Sequence, residues 1–243
     1  VSGAQNIQVE AIANNRYLIV ELGAAKADKN SIAGIIGVLV SNNATTATIG
    51  DAVVLTLTGE LNVLADNTTR YIGILGGAQV GKGNSIGGTV GVLVVGNETL
   101  AKIGNSAQIT AQEVKVAANA TETIVEVVVN ASVASGAEAK TAVAVSPSVN
   151  VVSGKTEAVI GNGATLTAEA VTISADSVSK IVIVSGGAAV TTSGTGVGAS
   201  VQVNVFEKDV QAHLGENAIL TGDVTVHADS DDTVVAIVGG LGG

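Results

Sequence analysis

One phrase recurs along this chain at a nearly constant interval. It reads "IGDAVVLTLTGELNVLAD" (49–66), "IGNSAQITAQEVKVAAN" (103–119), "IGNGATLTAEAVTISAD" (160–176) and "LGENAILTGDVTVHAD" (214–229). The first residues, Ile49, Ile103, Ile160 and Leu214, are separated by 54, 57 and 54 positions. A V-x-V pair precedes each copy by 11 residues: Val38/Val40, Val92/Val94, Val149/Val151 and Val203/Val205. The stretches "SIAGIIGVLV" (31–40) and "SIGGTVGVLV" (85–94) keep the same 54-residue offset. Self-similarity at such a period means one structural unit stacked on copies of itself, each burying the face its neighbour leaves open.

Within each unit the residues alternate with period two, as in "VTVHAD", "VTISAD" and "VQVNVF", which marks strands with one face buried. Helix signals are weak throughout, because β-branched residues abound and Gly recurs in most windows. Polar clusters, "DNTT", "NATE", "DSVS" and "DSDD", follow each anchor and divide the unit into about five strand segments. The expected fold is all-β, a parallel β-helix (β-solenoid) in which equivalent residues stack about 4.8 Å apart. Two coils of about 27 residues or three of about 18 both fit the spacing. Ile32, Ile36, Val38 and Val40 are expected along the same buried wall as Ile86, Val90, Val92 and Val94. An alternative places long antiparallel hairpins at "GKGN" and "TSGTG". The chain divides into a partial unit 1–30, units 31–84, 85–140 and 141–198, and a partial unit 199–243, all in one solenoid segment. With no polar cap at either end, it is expected to be an interior slice of a longer array.

Composition narrows the core. Tyr17, Tyr71 and Phe206 are the only aromatics, and Met, Trp and Cys are absent. Irregular globular cores use aromatics and Met to fill gaps, so a thin, uniform core of small and β-branched side chains is expected. Without Cys there are no disulfides or thiolate metal sites. The net charge of −10, with 11 scattered Lys and Arg, argues against nucleic acid or an anionic membrane surface as partner. The longest apolar stretches reach about half the roughly 20 residues of a spanning helix. Three aromatics cannot build the two girdles of a transmembrane barrel.

The segment "GTGVGASVQVNV" (194–205), an Ile/Leu-Gly turn, and then "LTGDVTVHADS" (220–230) resemble the repeats of very large bacterial filamentous adhesins, the leukotoxin-like and filamentous-haemagglutinin-like surface proteins. The resemblance covers nearly the whole chain. It implies a secreted, cell-surface, fibrous β-solenoid without catalytic residues. The expected role is a non-enzymatic stalk or filament segment of a surface-displayed adhesin or filamentous exoprotein, extracellular in location. The alternative is a self-assembling fibre or sheath subunit. The expected partners are neighbouring repeats of the same longer chain, copies joined end to end, and a host surface or extracellular matrix reached through other regions. A carbohydrate-cleaving β-helix enzyme would need clustered acids and aromatic sugar platforms.

No catalytic, cofactor-binding or metal-ligating residue is assigned. His213 and His227 fall in slots held by Val159 and Ser174 in the preceding copy, ordinary strand positions. Two polar columns are expected at coil corners: Asp51, Asn105, Asn162 and Glu216 after the anchor Gly, and Asp66, Asn119, Asp176 and Asp229 closing the next strand. Such side chains cap turn amides and bond along the stack. Calcium is the alternative occupant, with Asp229–Asp232 the densest carboxylates. The N-x-[S/T] triplets at Asn43, Asn67, Asn97, Asn119 and Asn130 match glycosylation acceptors but are also common turn sequences. "VGKGNS" around Lys82 lacks the spacing of a phosphate loop.

Overall fold

The structure, a computed structural model, describes residues 2–243. Its strands are β1 (Ser2–Ala4), β2 (Ile7–Ala27), β3 (Ser31–Ile49), β4 (Val54–Leu57), β5 (Glu60–Gly81), β6 (Asn84–Ile103) and β7 (Gln108–Thr110). They continue as β8 (Glu113–Ala134), β9 (Thr141–Val145), β10 (Ser148–Ile160), β11 (Thr165–Thr191), β12 (Thr195–Ala199), β13 (Gln202–Leu214) and β14 (Ile219–Gly242). The long strands β2, β5, β8, β11 and β14 stack side by side in a first sheet, with β1, β4 and β7 extending one end of it. A second sheet stacks β3, β6, β10 and β13, continued by β9 and β12. All ladders among the described residues are parallel, and each joins a residue to its equivalent one repeat away. Ile49, Ile103, Ile160 and Leu214 form one such column. The parallel β-solenoid is therefore the fold.

The coil is larger than either expected subdivision. One coil takes a whole repeat: it runs along the first sheet, reverses at a tip turn, returns along the second sheet and reverses again at a corner. The polar clusters do not break the chain, because "DNTT", "NATE", "DSVS" and "DSDD" lie within β5, β8, β11 and β14. Polar residues there find partners without leaving the ladder, Thr69 donating to Asn97 and Asn97 to Glu122 across the interior and Ser179 to Glu122 on the neighbouring strand. The reversals at "GKGN" and "TSGTG" are real. Their flanking strands nevertheless bond to the next coil in parallel, so the hairpin alternative is corrected. Length variation is confined to turns and bulges: the tip turn takes two residues at 82–83 and six at 135–140.

The two sheets enclose three apolar zones. Near the corners, Leu61, Val63, Ile103, Ile109, Val114, Leu166 and Ile173 form the largest. Tyr71, Leu93, Val95, Ile124, Val152, Ile181 and Ile183 pack in the middle. Towards the tip only Ala134, Ala139, Ala142, Ala144 and Ala189 remain. The sandwich tapers: a Cβ added at Gly187 would overlap the carbonyl oxygens of Ala144 and Ala199. Around Gly187 the inward positions are small, Ala144 and Ala189 among them.

The structure overturns the expected buried wall. Ile32↔Ile86, Ile36↔Val90, Val38↔Val92 and Val40↔Val94 do stack rung on rung. They stack on the outside: Ile32 is 73% and Ile36 71% exposed, whereas Leu93 and Val95, of opposite phase, are fully buried. Ser85, Gly87, Thr89 and Gly91 take the inward positions of the repeated phrase. Gln79, Asn130, Val128 and Glu126 reach across from the first sheet into the space facing this phrase, so a Cβ at Gly87 or Gly91 would collide with them and alternation turns the phrase's Ile and Val side chains outward. Among the described residues no helix is long and apolar enough to cross a membrane.

Gly187→Ala is expected to cost at least about 2 kcal/mol of unfolding free energy, seen as a lower urea midpoint. The neighbouring Gly186, whose added carbon would meet only a backbone oxygen at 3.7 Å, is expected to accept Ala within about 0.5 kcal/mol.

Candidate functional site

Each corner is built by a Gly followed by an Asp, Asn or Glu and then a residue with positive φ: Ala52 (54°), Ser106 (55°), Gly163 (64°) and Asn217 (57°). The left-handed residue turns the chain from the second sheet into the first. The side chain before it bonds to the coil above. Asn105 N donates to Asp51 Oδ1 at 2.7 Å, Asn162 N to Asn105 Oδ1 at 2.9 Å and Glu216 N to Asn162 Oδ1 at 2.8 Å. The backbone adds Ala52 N to Asn105 O, Ser106 N to Asn162 O and Gly163 N to Glu216 O, each 2.8 Å. The first expected column is thus a ladder of caps that ties successive corners together.

The second column is not at a corner. Asp66, Asn119, Asp176 and Asp229 are in register but lie within the long strands of the first sheet, facing out. Strand alternation places Asp229 and Asp231 on one side of β14 and Ser230 and Asp232 on the other, with Ser230 Oγ donating to Asp232 Oδ2 at 2.9 Å. The histidines occupy the expected slots, His213 in register with Val159 and His227 with Ser174. His213 Nε2 stands 3.8 Å from Glu157 and His227 Nε2 3.6 Å from Asp176. Lys82 closes the tip with an exposed ion pair to Asp28 at 2.7 Å. That pairing lowers the Asp28 carboxyl and raises the Lys82 ammonium from their ordinary values. An open depression of about 760 Å³ lies beside it, its charged groups Asp28, Lys29, Lys82, Glu138 and Lys140 all exposed.

Of the five glycosylation-like triplets, Asn67, Asn97 and Asn130 are buried and Asn43 points inward beside them. Only Asn119 faces outward. A bulky glycan fits none of the inward four in the folded chain.

Sequence reasoning did not single out the interior polar chain. Tyr17 Oη donates to Asn43 Oδ1 (3.2 Å), Asn43 Nδ2 to Asn97 Oδ1 (2.9 Å), and Asn97 Nδ2 to Glu122 Oε1 (2.5 Å). Glu122 also accepts from Ser179 Oγ at 3.4 Å and forms an ion pair with Lys208. The route crosses from coil to coil, using first-sheet and second-sheet residues together. Lys208 stacks on Gly154, and it is the missing Cβ of Gly154 that leaves the ammonium its path to Glu122. A sequence signal existed: Leu61, Val63, Ala65, Asn67, Thr69 and Tyr71 share one strand phase, so Asn67 and Thr69 continue the buried face.

A second carboxyl, Glu126, is buried 1% exposed nearer the tip, facing Gly91. Burial pushes it up to about 7, against a hydrogen bond from Asn150 that favours the charged form. Lone buried carboxyls with raised affinity for protons occur at catalytic sites; this one sits between the two sheets beside Val128, both facing Gly91. What the arrangement does chemically is stabilise: it satisfies buried polar groups between coils and fixes their register.

Two tests follow from these interiors. Lys208→Met leaves the Glu122 charge buried without its cation and is expected to lower stability by about 3 kcal/mol or more, a loss that adding Glu122→Gln largely reverses. Because the folded chain holds the Glu126 proton more tightly than the unfolded chain, its contribution is complete below the ordinary carboxyl value. It declines as pH rises to about 7, a total of about 3 kcal/mol. Glu126→Gln is expected to remove that decline in urea midpoints measured from pH 4 to pH 8. No protein-family model, no curated protein and no solved structure matches this chain.

Proposed function

We propose that the chain is a structural, non-catalytic segment of a secreted filamentous protein displayed on a bacterial surface, of the large adhesin kind that its repeats resemble. The observation that carries this reading is the uninterrupted register: each coil repeats the previous one in backbone, corner caps and column identity, from β2 to β14. A body built this way transmits load. Tension along the stack falls on all the ladder bonds between two coils together, with the corner caps closing one end of each coil. The inside offers further support, since the polar groups from Tyr17 through Asn43, Asn97 and Glu122 to Lys208 serve one another from coil to coil. Neighbouring repeats of a longer chain are its natural partners. Recognition of a host surface would belong to regions outside this segment.

A self-assembling fibre or sheath subunit is the second reading, and a specific observation favours it: the tip half carries whole columns of Val and Ile on the outside. Both readings place the chain outside the cell. Antibody raised against it is expected to label fibrous material on intact cells of the source organism. Signal that appears only after permeabilisation would refute the extracellular role.

A further inference from the structure

The outer surfaces of the tip half are unlike those of a protein that stands alone. On the second sheet, Val38, Val92, Val149 and Val203 form one outward column, and Val40, Val94, Val151 and Val205 the next. On the first sheet, Leu18, Ile72, Val125, Val182 and Val235 form one, and Val20, Ile74, Val127, Val184 and Ile237 another. The outermost strands β3 and β13 are the most exposed, with Val38 and Val40 about three-fifths and Val203 and Val205 about half exposed, and the apolar columns continue across the inner strands, where Val149 is still 40% exposed. Each face presents apolar surface on the order of 1,000 Å², more than a lone protein usually carries and more than the roughly 800 Å² per partner of a standard interface.

We propose that these faces bind a second copy of this chain, the second sheet of one copy seating on the first sheet of the next, tip over tip. Two features select that occupant. The columns repeat at the strand spacing of about 4.8 Å, and a partner with the same rungs meets every row with a row of its own. Both faces are apolar at the same distance from the tip, so a simple translation brings strip onto strip. The contact is heterologous, so it does not close at a dimer and builds stacked arrays. It requires only the fold, and it survives or fails separately from the cellular role proposed above.

The whole 243-residue chain is tested by sedimentation velocity over a wide concentration range. Association that grows with concentration is expected, weakened about tenfold or more by Val149→Lys. Thr172→Lys, outward on the thick half of the first sheet, is expected to leave it unchanged. Circular dichroism and urea midpoints equal to those of the unaltered chain establish that both variants fold. The chain has no Cys, so Val149→Cys on one copy and Val184→Cys on another are expected to form a mixed disulfide in preference to either homodimer. A monomer at every concentration overturns the proposal. So does association indifferent to Val149→Lys, which would assign it to the strand edges, and so does preferential Val149→Cys homodimer formation. Partition of the unaltered chain into phosphatidylcholine vesicles, lost in Val149→Lys, would hand the faces to lipid and equally overturn it.

Discussion

Parallel backbone pairing between a residue and its equivalent one coil away is the constraint from which the remaining structure follows. Once Ile49 pairs with Ile103 and Ile103 with Ile160, every side chain stands on its own counterpart. A favourable choice at one position is then repeated in every coil, and so is an unfavourable one. Asp and Asn at the corners work because each coil supplies both the acceptor for its neighbour and the amide its other neighbour caps. An isolated turn would gain one bond from such a residue; the stack gains one per coil.

The same constraint makes the interior polar chain tolerable. Burying Glu122 alone would be prohibitive, yet the coils on either side place Asn97, Ser179 and Lys208 around it. Displacing one coil by a single residue would turn these groups outward and bring their apolar neighbours in. The network therefore penalises slippage, which a wall of interchangeable Val and Ala would permit. Glu126 is the counterexample within the same coil: it is held at the tip side with fewer partners, and its proton is correspondingly harder to remove.

How much of this was legible in the sequence depends on which property is asked for. The repeat interval, the all-β character, the parallel stack and the corner caps followed from spacing and residue type, because identical letters at a fixed offset leave few alternatives. Coil length did not follow, since "DNTT" and "NATE" have turn composition, and only their continuation of the phase of Leu61, Val63 and Ala65 shows them inside a strand. The facing of "SIGGTVGVLV" was unreadable for a different reason. Period-two alternation fixes two faces but not which one is inside. That choice was made by what fills the interior from the other side: a Cβ at Gly87 would meet Gln79 and Asn130, and one at Gly91 would meet Val128 and Glu126, so Ser85, Gly87, Thr89 and Gly91 face in. Hydrophobicity predicts the wrong face wherever steric room runs out first.

A coil this wide also alters what lengthening the array accomplishes. Each added repeat uses 54 to 57 residues and raises the stack by only about 4.8 Å, so residues go mainly into breadth of face. The two ends of the stack present one coil's edge each, however many coils lie between them, whereas the flat sides grow with every repeat. End-to-end contact is therefore fixed in strength while side-by-side contact accumulates, and the balance between them shifts towards the sides as coils are added. A sequence that turns its Val and Ile columns outward at the tip in every coil has placed its apolar surface where that growth is largest.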